Sequence, residues 1–251
     1  MGNRHDVLGI KQAIRLEWMQ KTVNLMLAGL DSRAIRYELH DFLSNATGAG
    51  CKGERSDKTR TFVVNNLMNI WVLPGAEVLP FRDASLEYLQ ENPSQSLAIH
   101  WGMICAAYPF WFRVARQVGR LLSLQNQFTQ AQVIYRIKEL YGDRQTVARY
   151  SRYVLRSFVY WNVIRDSVNK GRYQGDNRVH IADPVLVSLM IEAMLYAVPE
   201  KSAHLGELRE HPSLFPFDLM YLDGDAIARV NSRLELSSYA ASVDLLRLKR
   251  L

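Results

Sequence analysis

Apolar residues recur at helical spacing along most of this chain of 251 residues, whereas the alternation typical of strands is scarce. Proline and glycine interrupt this pattern at Gly29, Pro74-Gly75, Pro93 and Pro109, where helices are expected to end or bend. The sequence therefore predicts a mainly α fold built from many helices. Before residue 129, the predicted helices cover residues 10–28, 31–45, 59–72, 82–91, 94–108 and 110–124.

The ends of the first helices carry capping signals. Gly29 follows the first predicted helix as a C-cap, and Asp31 precedes the second as an N-cap. Residues 47–58 are rich in glycine and charged residues, which predicts a loop. Pro93 is the best candidate boundary between two units. We therefore expect an N-terminal helical domain over residues 1–93 and a second helical domain over residues 94–251.

Composition limits the class of protein. Hydrophobic residues make up 48% of the chain, enough to bury a sizeable core. Cys51 and Cys105 are the only cysteines, and neither a CxxC motif nor a secretory signal is present, so a reducing cytoplasm is expected. The apolar windows 92–112 and 184–199 fall short of the roughly 20 predominantly apolar residues of a membrane span. They are predicted to be buried helices of a soluble protein.

Positive charge is concentrated between residues 144 and 178. This stretch holds eight basic residues and two acids, so its net charge of +6 equals that of the whole chain. A charge excess confined to one segment is typical of a surface that binds a polyanion. The basic residues are Arg144, Arg149, Arg152, Arg156, Arg165, Lys170, Arg172 and Arg178.

The basic stretch belongs to a predicted helix-turn-helix. A helix over residues 129–141, which Thr129 can cap, is followed by a turn at Gly142-Asp143 and by a second helix over residues 144–160. Asp143 is the expected N-cap of the second helix. At 100° per residue, that helix gathers an apolar face on one side and a basic face on the other. The apolar face consists of Val147, Ser151, Val154 and Phe158; the basic face consists of Arg149, Arg152 and Arg156, with Gln145 beside them.

A predicted β-hairpin follows the second helix. Residues 161–168 have strand composition, residues 169–177 are rich in turn formers, and residues 178–181 are expected to return as the second strand. Residues 129–181 would then form a winged helix-turn-helix that binds double-stranded DNA through its second helix and its wing. The predicted DNA-binding residues are Arg144, Gln145, Arg149, Arg152, Tyr153, Arg156, Lys170, Arg172 and Arg178.

A second interpretation uses the same elements differently. Arginines on the outer face of an amphipathic helix are often simply solvated, and a winged helix can serve protein contacts alone. The chain would then be a protein–protein adaptor in a regulatory complex.

Two stretches of the sequence form a further pattern. One is Leu97-Ala-Ile-His-Trp-Gly-Met-Ile-Cys-Ala-Ala-Tyr-Pro109 with the helix after it; the other is Gln145-Thr146 with Arg152-Tyr-Val-Leu-Arg-Ser-Phe158. Together they resemble the BrxA family, small accessory proteins of bacterial BREX phage-defence systems, and the adaptor considered above would then belong to a defence complex. Gly29-Leu-Asp31, placed between two helices, is similar too. The resemblance spans about residues 15–200. It implies a mostly helical, two-part protein with a winged helix that binds DNA beside other defence proteins, its basic helix corresponding to Arg149, Arg152 and Arg156.

Motifs for catalysis are not evident. The six histidines show no HExxH or Cys/His metal spacing, and the sequence has no GxGxxG, Walker lysine loop or GxSxG elbow. Asp218, Asp223 and Asp225 lie close together as in some metal-dependent nucleases, but a turn and a helix N-cap are the expected structure there. Cys51, beside Lys52 in a glycine-rich segment, is expected to be a surface cysteine. We therefore expect no catalytic activity, no cofactor and no metal site.

Overall fold

The computed structural model describes residues 4–44, 56–239 and 243–249 and is mainly helical, as the sequence predicts. Over these residues the α-helices are α1 (Leu16–Leu27), α2 (Ser32–Ser44), α3 (Asp57–Leu67), α4 (Leu79–Glu91), α5 (Ser96–Ala107), α6 (Pro109–Leu122), α7 (Gln130–Tyr141), α8 (Gln145–Tyr160), α9 (Pro184–Ala197), α10 (Leu205–Arg209) and α11 (Gly224–Val230). The strands are β1 (Gln127–Thr129), β2 (Ile164–Asp166), β3 (Arg172–Gly175), β4 (Val179–Ile181), β5 (Ser202–His204), β6 (Phe217–Leu219), β7 (Leu234–Tyr239) and β8 (Val243–Leu248).

The first helix is shorter than predicted because tertiary contacts hold the residues before it. α1 begins at Leu16 rather than at residue 10. Ile14 donates its backbone N–H to Ser157 Oγ at 2.9 Å and accepts a hydrogen bond from Trp161 Nε1 at 3.0 Å. Its backbone groups are therefore satisfied without a helix. Gly29 has a φ of +78°, as its predicted capping position requires.

Asp31 caps the second helix as predicted, since its carboxylate accepts the N–H of Ala34 at 2.7 Å. Of the predicted loop 47–58, residues 47–55, including Cys51, lie outside the described residues. Ser56 accepts the N–H of Thr59, and α3 begins at Asp57, two residues earlier than expected. The helix continues from α3 as a π-helical turn, Met68–Val72.

α5 and α9 pack against each other in the middle of the hydrophobic core. Nearly every residue of both helices is buried, as the apolar windows predict. The core contains residues from both sides of Pro93: the ring of Trp71 lies 5.3 Å from that of His100. The proposed division into two domains stays a prediction.

Across the described ranges, no single helix combines the length and the apolar composition of a membrane span. The bent pair Asp57–Val72 and Ala76–Glu91, with 51° between its two parts, meets these criteria only when both parts are counted together.

Residues 109–175 form the part of the fold that carries most of the basic stretch. The order is helix α6, strand β1, helices α7 and α8, then strands β2 and β3. The three strands make an antiparallel sheet in the order β1-β3-β2. Phe128 of β1 is paired with Tyr173 of β3, both are buried, and their rings lie 5.5 Å apart. The sheet therefore packs one face into the core.

The predicted second strand of the hairpin is wrong. The strand that pairs with β2 is β3, which begins at Arg172, directly after Gly171 with its φ of +76°. That glycine lets the chain reverse earlier than expected and brings Tyr173 into register with Asp166. Residues 179–181 instead form β4, which pairs in parallel with β6, about 38 residues further along the chain.

Candidate nucleic-acid interface

α7 has a defined cap at its start and a glycine at its end, where the short turn to α8 begins. Thr129 and Gln132 form a capping box at the start of α7, so Thr129 caps this helix as predicted. Gly142 ends α7 with a φ of +84°. The predicted N-cap at Asp143 is wrong: Arg144 holds that position, its side chain makes no capping hydrogen bond, and Asp143 pairs with Lys138 at 2.6 Å. Lys138 of α7 therefore binds the carboxylate that was expected to cap α8.

α8 has the two faces that its sequence predicts. Val147, Ser151, Val154 and Phe158 are all fully buried. Gln145, Arg149 and Arg152 are exposed, and helical geometry places them, with Arg156, within about 60° of one direction. This row of four residues is called the α8 stripe below. It offers arginines and an amide to solvent along about three turns of helix.

Arg156 is tied to the neighbouring sheet. Its Nη1 and Nη2 donate to the two carboxylate oxygens of Asp166, at 2.7 and 3.1 Å. The hydrogen bonds that Arg156 donates to Asp166 raise the pKa of Arg156 although burial opposes it. Both side chains remain partly exposed, so the pair stabilises the fold only modestly. Its clearer effect is positional, because it links α8 to β2.

Two further predicted residues of this helix make local contacts. Tyr153 is half-buried, and its ring is stacked 6.3 Å from that of Tyr150. The guanidinium of Arg149 lies 5.5 Å from the centre of the Tyr150 ring. Arg144 is exposed and donates to the carbonyl of Tyr141 at 2.9 Å. Arg149 and Arg144 therefore contact neighbours that are neutral.

The hairpin carries two of its three predicted cations. Lys170 lies exposed in the turn, and Arg172 lies exposed at the start of β3. Arg178 is not part of the hairpin, because it precedes β4 and its guanidinium donates to the carbonyl of Phe217 at 2.9 Å. The structure thus separates Arg178 from Lys170 and Arg172, which belong to the same turn.

The carboxylates considered for a metal site are occupied in other ways. Asp223 caps α11 by accepting the N–H of Ala226 at 2.7 Å, so the predicted N-cap is confirmed. Asp218 accepts a hydrogen bond from His180 Nδ1, at 3.1 Å, across the β4–β6 pair. Within the described residues, no group of three or more His, Cys, Asp or Glu residues is arranged to hold a metal ion.

Sequence reasoning missed Asp166 as the partner of Arg156. The two are ten residues apart and lie on different elements, so no periodicity within one element relates them. Comparisons of the chain with protein-family models, with curated proteins and with solved structures find no match. The function is therefore argued from the arrangement of residues alone.

Proposed function

We propose that this chain is a non-catalytic, cytoplasmic DNA-binding protein in which residues 109–175 act as a winged helix-turn-helix. The observation that carries the proposal is the exposed α8 stripe, which follows a tight helix–helix turn and precedes a hairpin with Lys170 and Arg172 at its turn. Helix-turn-helix proteins insert the second helix of the pair into the major groove and add contacts from a neighbouring loop or arm.

The order of the elements supports this reading. A helix, a strand, two helices and a two-stranded hairpin, with the first strand added to the edge of the hairpin, is the arrangement expected of a winged helix. α8 would be the recognition helix, and the turn between β2 and β3 would be the wing. Burial of Phe128 and Tyr173 behind the strands would hold the wing against the helices.

The chemistry of the exposed residues suits duplex DNA. Arg149 and Arg152 can neutralise phosphates or pair with guanine, and Gln145 can pair with adenine. Lys170 and Arg172 would contact the backbone beside the groove. Arg156 is already paired with Asp166, so we assign it the role of fixing the angle between α8 and the wing. Arg178 is left out of this interface because it precedes β4 and lies outside the hairpin that carries Lys170 and Arg172.

The resemblance to BrxA proteins suggests where such an activity would be used. We propose that the chain is an accessory component of a bacterial phage-defence system of the BREX type. DNA binding would then operate beside other defence proteins, which are the expected protein partners.

A salt series tests DNA binding directly. If Arg144, Arg149, Arg152, Lys170 and Arg172 each neutralise one phosphate, log K should fall with log salt at a slope of about −4 to −5. Fluorescence anisotropy of a labelled 20-base-pair duplex, followed from low to moderate salt, gives this slope. Absence of binding at low salt, or a slope near zero, would contradict the proposal.

Paired variants locate the contact surface. Arg149→Ala combined with Arg152→Ala should reduce the size of the slope by about two and weaken binding at least tenfold at moderate salt. Arg33→Ala combined with Arg229→Ala removes two exposed arginines from α2 and α11 and is the matched control. Equal losses in both double variants would mean that net charge, and not the α8 stripe, governs binding.

An adaptor role is the second candidate, and a different surface favours it. Tyr135 and Leu140 of α7 are 64% and 51% exposed, so their apolar surface is accessible to a protein partner. An adaptor should retain its partners in a pull-down from the native cell after nuclease treatment. Replacing Tyr135 and Leu140 with serine should release those partners without changing the affinity for DNA.

A further inference from the structure

A cleft of about 620 Å³ opens between the sheet face that is turned away from α8, the C-terminal end of α6 and residues 209–215. Strand geometry explains its position: Ile164 is buried and Asp166 reaches α8, so Arg165 between them points to the opposite face. Gln174, the partner of Arg165 in register, lines the same cleft. The other wall is formed by residues 209–215. The cleft therefore lies behind the proposed wing, away from the α8 stripe.

Three arginines and two carboxylates line this cleft. The arginines are Arg165, Arg178 and Arg209, and the acids are Asp176 and Glu210. Arg178 donates to Phe217 O, and Arg209 lies over the ring of Tyr221 at 3.9 Å. In the part of the chain that the structure describes, no ion pair joins these arginines to a carboxylate. Among the described residues, their charge is therefore not neutralised by an ion pair.

Arg116 and Arg120 of α6 add positive charge near His211, which lines the cleft. Burial, with the charges of Arg116 and Arg120, lowers the pKa of His211 to about 4. Arg116 itself has a lowered pKa because of burial and the charges of Arg120 and Arg113. Its Nε is buried without a hydrogen-bond partner among the described residues. Arginines that repel one another and lack carboxylate partners are arranged to receive an anion.

His211 is fixed in one orientation. Its ring is stacked on Phe112 at 4.8 Å, and its Nδ1 accepts the N–H of Ser213 at 3.2 Å. A neutral histidine whose Nδ1 accepts carries its proton on Nε2. His211 therefore contributes a neutral imidazole ring to the wall of a cleft that is otherwise rich in guanidinium groups. Leu214 and Phe215 supply an apolar wall beside it.

We propose that this cleft binds a small phosphate-bearing molecule of nucleotide size. Its volume falls within the range of small-molecule sites, and arginine forks match phosphate oxygens. The apolar wall can hold a flat ring, while Asp176 and Glu210 can accept hydrogen bonds from its amino or hydroxyl groups. This binding is independent of the DNA contacts of α8, since it uses the opposite side of the sheet.

Isothermal titration of the full chain with ATP, GTP and inorganic phosphate tests the proposal. ATP or GTP should bind saturably at one site and more tightly than phosphate. Arg165→Gln and Arg209→Gln should each weaken this binding by about tenfold, as expected for the loss of a charge-assisted hydrogen bond. Arg33→Gln, which changes an exposed arginine of α2, should leave it unchanged.

Thermal melting shows whether each variant is folded, and Arg165→Gln is the safer change because Arg165 is exposed. Measuring the affinity for duplex DNA distinguishes nucleotide binding in the cleft from the proposed DNA binding by α8. Arg165→Gln should weaken nucleotide binding and leave the affinity for DNA within twofold. A cleft that binds no nucleotide at millimolar concentration overturns the proposal. So does a result in which Arg165→Gln weakens DNA binding alone, because the cleft would then be a nucleic-acid contact.

Discussion

Arg156 holds both carboxylate oxygens of Asp166, at 2.7 and 3.1 Å, and so joins α8 to the first strand of the hairpin. The arginine belongs to the predicted DNA-binding face, yet its guanidinium is engaged within the protein. The same bond places one negative charge beside the exposed arginines of α8. Asp166 therefore reduces the positive potential of this face while it fixes the geometry of the face.

Asp166→Asn should strengthen DNA binding. The change releases Arg156 and removes a negative charge beside the α8 stripe, so the salt slope should steepen by about one and the affinity should rise severalfold. Loss of the partly exposed pair should lower the free energy of unfolding by no more than about 1 kcal/mol. Anisotropy and urea denaturation measure the two effects. Asp225→Asn, which removes an exposed acid from α11, is the control, and an equal gain there would assign the effect to net charge.

How much could be predicted from the sequence depended on the range of the interactions. The buried face of α8 and the caps at Thr129 and Asp31 were predictable, because periodicity and capping act within a few residues. β1 and the parallel pairing of β4 with β6 were not predicted. Such pairs are selected by contacts between residues 38 or more positions apart, and strands of three residues leave little pattern.

The candidate site shows the same limit. Exposure of Arg149 and Arg152 followed from the position of the apolar face. The binding of Arg156 to Asp166 and of Arg178 to Phe217 O depended on how separate elements pack, which charge counting does not reveal. The charged stretch is continuous in sequence, but the fold divides it between α8, the hairpin and the cleft.

His100 should make the protein less stable in mild acid. Burial lowers the pKa of this fully buried histidine to about 3, whereas an unfolded chain has a histidine pKa near 6.5. Below pH 6.5 this histidine is protonated in the unfolded state but stays neutral in the folded state. The free energy of unfolding therefore decreases as the pH falls from about 6.5 towards 3. The loss from this residue should reach about 2 kcal/mol at pH 5.

Urea denaturation between pH 7.5 and pH 5 measures the contribution of His100. His100→Gln should flatten the dependence on pH by about this amount, whatever its effect at neutral pH. His204→Gln, at an exposed position in β5, should keep the full dependence. An unchanged pH profile in His100→Gln would refute the assignment.

Gly119→Ala should loosen the contact between α6 and the wall of the cleft. A Cβ built at Gly119 would overlap the backbone carbonyl of Pro212, so the backbone of residues 209–215 would have to move. Overpacking against a backbone atom should lower the free energy of unfolding by about 2 kcal/mol or more, although alanine is a better helix former. Gly75→Ala, where no atom lies within 4 Å of the new Cβ, should change stability little. Equal denaturation midpoints for the two variants would contradict this close approach.

Glu192 is a charged residue in the described core: it lies at the centre of α9 and has no exposed surface, so its carboxylate needs partners within the protein. Arg233 donates to both of its oxygens, from Nε and Nη2, at 2.8 Å each, and Asn231 Nδ2 donates at 2.7 Å. Burial lowers the pKa of Arg233, but the hydrogen bonds to Glu192 outweigh this effect and raise it. The chain after α11 thereby neutralises a carboxylate inside the core.

Arg233→Ala should therefore be strongly destabilising, by about 3 kcal/mol or more, since it leaves Glu192 buried with Asn231 as its one remaining partner among these contacts. Adding Glu192→Gln to Arg233→Ala should restore part of the stability, because the buried charge is then gone. Arg229→Ala, at an exposed position near the end of α11, is the matched control and should change stability by less than about 0.5 kcal/mol. If the double variant is no more stable than Arg233→Ala alone, the loss comes from packing of the arginine stem and not from an unpaired carboxylate.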